Sequence, residues 1–129
     1  MVTAPDGDVE LWAYQIGPFY DASAVAAVLG VSRAAVYSRG RSRTILSCRT
    51  GSGRIVYPVW QFVGGAVLPG LVAVLRVLEG SDVSTWTVAS WLRSPEVELG
   101  GRRPFEVLLA GGEDDLVLLV ASHAAAGWE

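Results

Sequence analysis

Residues 21–37, DASAVAAVLGVSRAAVY, decide how the first half of the chain is read. Asp21 or Ser23 offers a short side-chain oxygen to a free first-turn N–H, so a helix opens here. Val25, Val28 and Leu29 recur at three- and four-residue spacing and give that helix one apolar face. Gly30 ends it in the left-handed conformation that glycine adopts without steric cost. Ser32 caps a second helix, residues 33 to about 39, which Gly40 stops. Val31, Ala35 and Val36 face inward, leaving Arg33, Ala34, Tyr37 and Ser38 on the outer side.

Charge separates this region from its flanks. All ten basic residues are arginine, and the net charge is −3. Residues 1–21 carry −4, residues 22–78 carry +7 with no acid at all, and residues 79–129 carry −6. A segregated basic block favours an anionic partner such as nucleic acid, and an acidic block repels one. After the two helices come residues 44–48 (TILSC) and 54–57 (RIVY), two β-prone runs around Gly51-Ser52-Gly53, which predict a hairpin. Pro58 closes it, and residues 59–62 begin a short helical turn.

Ala26 stands four residues before Gly30 and Val36 six after it. A small residue, a glycine turn and a space-filling valine in that order resemble the bacterial helix-turn-helix pattern over about 20 residues. The competing reading is an ordinary helical hairpin. With the hairpin as a wing, Ser32, Arg33, Ala34, Tyr37 and Ser38 are expected to face the major groove. Arg39, Arg41 and Arg43 lie between helix and wing, and Arg49 and Arg54 on the wing approach phosphates or the minor groove. So few contacts predict weak binding by one copy, hence a homodimer or higher assembly on DNA.

The second half is helical and apolar. Residues 69–78 are apolar nearly all round, Ser84 caps a helix over 85–92 that carries Trp86 and Trp91, and Pro104 leads into a helix over 105–109. Glu113, Asp114 and Asp115 open a last helix to about residue 126, where carboxylates complement the helix dipole. The run Val117-Leu118-Leu119-Val120 is consecutive, so either some of it meets a partner or the helix is fully enclosed. The predicted architecture is thus mainly α: a lead-in over 1–20, a winged helix-turn-helix over 21–62, and a helical protein-interaction domain over 66–129.

Trp91, Leu92, Pro95, Leu99, Gly100, Pro104, Leu108, Gly111, Gly112 and Val117 occur in an order that resembles the toxin-binding domain of the Xre/MbcA/ParS-type antitoxins. With Tyr57-Pro58 and Gln61-Phe62 upstream, the resemblance covers about residues 55–124. It implies an antitoxin that binds and silences a RES-domain, NAD-consuming toxin and represses its own promoter. Leu116, Leu119, Val120 and His123 of the last helix are the expected partner-binding positions. The whole layout also resembles actinobacterial DNA-binding regulators that share the winged module and the Leu-Pro-Gly-Leu and Trp-Leu-x-x-Pro elements, which implies a stand-alone regulator with no toxin partner.

Catalytic chemistry is not expected. His123 is the sole histidine and Cys48 the sole cysteine, with no metal-ligand spacing and no triad companions. Without lysine there is no phosphate loop of the Gly-Lys type, so neither a metal nor a cofactor is predicted. Residues 63–78, the longest apolar stretch, are broken by Gly64, Gly65, Pro69, Gly70 and Arg76, so no membrane span is predicted. A lone thiol fits a reducing, cytoplasmic setting.

Overall fold

The computed structural model describes residues 15–81 and 83–128. Most of the predicted lead-in, including residues 11–14 of its aromatic segment, and Asp82 lie outside them. In chain order the elements are β1 (Phe19–Tyr20), α1 (Ala22–Leu29), α2 (Arg33–Arg41), β2 (Cys48–Arg49), β3 (Ile55–Pro58) and a 3₁₀ turn (Val59–Gln61). There follow β4 (Phe62–Val63), β5 (Ala66–Val67), α3 (Leu71–Glu79), α4 (Thr85–Arg93), a 3₁₀ turn (Val97–Leu99), α5 (Pro104–Ala110) and α6 (Asp114–Trp128). The fold is mainly helical with a small antiparallel sheet. No described helix is long and apolar enough to cross a membrane.

The caps follow the sequence. Asp21 accepts the Ala24 N–H at 2.8 Å, and Ser32 accepts the Ala35 N–H at 3.1 Å. Between these helices Gly30 takes φ 67° and returns its N–H to the Ala26 carbonyl. Ser84 caps α4 through the Thr87 N–H, and Pro104 begins α5. One boundary differs from expectation. Gly40 does not stop α2, which continues to Arg41 and ends where Arg43 adopts φ 58° and the Thr44 N–H reaches back to the Arg39 carbonyl. Gly40 serves close approach instead: a Cβ there would stand 3.2 Å from Ser47 Oγ.

In the three-stranded sheet β3 lies in the centre, antiparallel to β1 on one side and β2 on the other. Cys48 pairs with Val56 and Arg49 with Ile55. The predicted first strand over 44–48 is therefore mostly unpaired backbone. Its buried part finds a side chain in place of a strand. Gln61, fully buried, accepts the Leu46 N–H at 2.7 Å and donates to the Leu46 carbonyl at 2.8 Å. The same amide donates to the Pro58 carbonyl at 3.1 Å. A second small hairpin, β4–β5, was not anticipated. It turns on Gly64 and Gly65, both at positive φ, as the tightest hairpin turns require.

Two hydrophobic clusters result. The smaller holds Ala22, Val25, Val36, Ile45 and Tyr57 between α1, α2 and β3. The larger gathers the buried faces of α3, α4, α5 and α6, and it also takes in Ile16, Leu46, Cys48 and Val56 from the first half. Successive strand side chains point to opposite faces, so β3 serves both clusters: Tyr57 is in the small one and Val56 in the large one. The predicted halves, 21–62 and 66–129, therefore share a wall. Tryptophan indoles add hydrogen bonds: Trp86 donates to the Arg49 carbonyl at 2.8 Å across that wall, and Trp60 donates to the Ile16 carbonyl at 2.7 Å within the first half.

Removing the Gln61 amide strands two polar groups of Leu46 inside the fold, each costing roughly 1–3 kcal/mol when left unpaired. Gln61→Leu is thus expected to lower the unfolding free energy by about 2–4 kcal/mol in urea titration. A variant as stable as the parent would show that the amide does not carry this segment.

Candidate nucleic-acid interface

The start of α1, the outer face of α2 and the tip of the β2–β3 hairpin enclose one open cleft of about 340 Å³. Its walls are Asp21, Ala22 and Ser23, then Arg33 and Tyr37, then Gly53, Arg54 and Ile55. Arg33 occupies the first turn of α2, directly after the Ser32 cap, and Tyr37 follows one turn later on the same face. Hydrogen bonding to the Tyr37 hydroxyl, with a smaller contribution from the Asp21 carboxylate, holds the Arg33 guanidinium above its ordinary pKa. Arg33 stays charged at any accessible pH.

The hairpin tip is closed by its own hydrogen bonds. Gly53 turns at φ 86° and donates to the Thr50 carbonyl, while Arg49 Nη1 donates to the Gly53 carbonyl at 3.0 Å. Arg54 is exposed on the cleft side. Of the positions expected to contact DNA, Ser32, Arg33, Ala34, Ser38, Arg41, Arg49 and Arg54 are exposed, while Tyr37 and Arg39 are half-buried. The structure brings Arg33, Tyr37 and Arg54 together. Arg43 is drawn away from them: it lines a separate crevice, next to Gly40, Leu75 and Leu78. Asp21 and Ser23, read from sequence only as caps, also line the cleft. Their presence follows from the tertiary meeting of α1 with the hairpin, which has no local sequence signal.

Ion pairs lie elsewhere. Among the described residues, the pairs are Arg76 with Glu79, Arg102 with Glu113, Arg103 with Glu106 and His123 with Glu98. None involves Arg33, Arg39, Arg41, Arg43, Arg49 or Arg54. Beneath the cleft, Tyr57 is fully buried and its hydroxyl has no hydrogen-bond partner among the described residues; burial and the nearby Tyr37 push its pKa up.

The second expected site changes more. Val120 is 2% exposed and Val117 fully buried, so Val120 is unavailable to a partner and belongs to the large core. Leu116 and Leu118 are half-buried and pack against that core. Leu119, 53% exposed, and the exposed His123 one turn on remain outside. His123 Nδ1 stands 2.9 Å from Glu98 Oε2, joining α6 to the preceding 3₁₀ turn. Cys48 is buried, and burial pushes its thiol pKa up to about 12. Among the described residues no three histidine, cysteine or acidic side chains could hold a metal ion.

No family model matches the chain, and no curated protein does. Among solved structures the chain is similar to the NMR structure of Rv2175c, with 26% sequence identity and a TM-score of 0.69. That likeness covers 97% of this chain and 86% of the other, so it spans the cleft-bearing half and the helical half alike.

The division of the last helix has a direct consequence. Val120→Asp places a carboxylate inside the core and is expected to cost more than about 3 kcal/mol or to abolish folding. Leu119→Asp, one residue away, is expected to change stability by less than about 0.5 kcal/mol. Thermal melts of the two variants decide it, and equal losses would contradict the assigned faces.

Proposed function

We propose that this chain is a duplex-DNA-binding regulator, in which α1 and α2 form a helix-turn-helix and the β2–β3 hairpin is its wing. The observation that carries the reading is the meeting of Arg33 and Tyr37 of α2 with Arg54 of the hairpin around one open cleft. None of the six arginines between positions 33 and 54 has an ion pair among the described residues. Unneutralised arginines attract a polyanion and release its counterions on contact, which is the main sequence-independent source of DNA affinity. The first residues of the second helix are also those that reach base edges in helix-turn-helix complexes.

Of the two roles that the sequence resemblances imply, a regulator is favoured over a toxin-neutralising antitoxin. Of the two readings open for the apolar run of α6, a covering partner or enclosure, enclosure fits better, since Val117 and Val120 lie in the protein's own core and Leu118 packs on it. Only Leu119 of that run is exposed. Occupancy of a specific promoter site by so small a contact surface calls for two copies on adjacent half-sites.

Affinity for duplex DNA is expected to fall steeply with salt. Arg49→Ala and Arg54→Ala should each weaken all duplexes alike and reduce the slope of log K against log salt by roughly one unit. Electrophoretic shifts or fluorescence anisotropy across a salt series measure this, with circular dichroism confirming the fold. If the combined Arg33, Arg41, Arg49 and Arg54 alanine variant is folded and binds as tightly as the parent, the DNA-binding reading is wrong.

A further inference from the structure

We infer that Arg33 is the residue through which this protein reads a guanine in the major groove, and that Tyr37 is the positioning residue that aims it. The inference rests on the DNA-binding reading and adds the base that is recognised.

Two features separate Arg33 from the other arginines of the basic surface: its place at the start of α2 and its meeting with Tyr37. It sits in the first turn of a nine-residue helix, on its exposed side, where a recognition helix meets base edges. Tyr37 lies one turn along the same face and lines the same cleft. Interaction with its hydroxyl favours the charged guanidinium, and a long side chain engaged in this way loses less rotamer freedom on binding. Arginine presents five donors in a planar fork. With some engaged by Tyr37, the remainder suit a ligand that offers two adjacent acceptors.

Guanine offers O6 and N7 on its major-groove edge, whereas adenine replaces one acceptor with the N6 amino donor and thymine offers O4 beside a methyl group. A phosphate also offers paired acceptors. The surroundings argue against one at this position, because the Asp21 carboxylate lines the same cleft and acts on Arg33. A phosphate there would meet a like charge, and a neutral base edge would not. Arg49 and Arg54, exposed on the hairpin, are left to the phosphate backbone.

The experiment selects duplexes from a random pool with the full-length protein and with its Arg33→Ala variant. It then replaces single selected guanines by 7-deazaguanine, which pairs normally but lacks the N7 acceptor. The expected result is one guanine position at which the parent loses about tenfold or more in affinity. Arg33→Ala should be insensitive to the replacement at that position, with its other preferences retained. Tyr37→Phe keeps the ring that packs against the small cluster and removes only the hydroxyl. It should lower discrimination between guanine and adenine there by more than it lowers the affinity for random-sequence DNA, with an unchanged melting temperature showing that the fold is kept. Three results overturn the inference while DNA binding stands: the parent selects no guanine, Arg33→Ala weakens all duplexes by one factor and keeps the 7-deazaguanine penalty, or Tyr37→Phe discriminates as the parent does. If the parent binds no duplex at all, the proposed function falls with it.

Discussion

The fold depends on one buried side chain acting as a strand. Between α2 and β2 the chain must cross the interior without a neighbouring strand to satisfy its backbone. Gln61 supplies the missing donor and acceptor for Leu46, and its third bond anchors the turn after Pro58. A primary amide is the side chain that mimics a peptide group on both sides. With the crossing fixed, Ile45 drops into the small cluster and Leu46 into the large one. The hairpin is thereby held at a set distance from α2, and the cleft between them exists for that reason.

Electrostatics divides the molecule along a different line from packing. The cores interlock across β3, while the described ion pairs lie on or after α3, where acids and arginines are interspersed. The Arg102–Glu113 pair is bidentate, at 2.7 and 3.3 Å, and its arginine holds the Glu113 carboxyl below the usual range. Arg93 is occupied as well, lying 4.4 Å from the centre of the Phe105 ring and 5.7 Å from that of Trp60. The arginines of the helical half thus have structural work within the fold, and those of the first half mostly do not. A dipolar molecule of this kind orients its basic end toward a polyanion during approach.

Much of this was legible in the sequence wherever the governing interaction is local. The caps at Asp21, Ser32 and Ser84, the glycine turn at Gly30 and the Gly51–Gly53 region of the hairpin were all readable, because each is decided within four or five residues. The phase of α6 was not. Four consecutive apolar residues contain no periodic signal, so the inward placement of Val120 and the outward placement of Leu119 had to come from the packed structure. Gln61 was invisible in its role, since its partner lies 15 positions earlier. The cleft was half legible: the sequence offered Arg33, Tyr37 and Arg54 as candidates, but only tertiary contact adds Asp21 and separates Arg43.

The alternation of β3 between two cores governs how this protein tolerates insertions and deletions. A one-residue insertion within β3 would exchange the surroundings of Val56 and Tyr57, pushing an aromatic into the helical core and leaving a gap under α2. The tip over 51–53 is exposed and bears no core residue, so length can vary there without disturbing either cluster. Related chains can therefore lengthen or shorten the reach of the hairpin across a ligand while β3 keeps its length, and an alignment of them should show gaps at the tip and none in the strand.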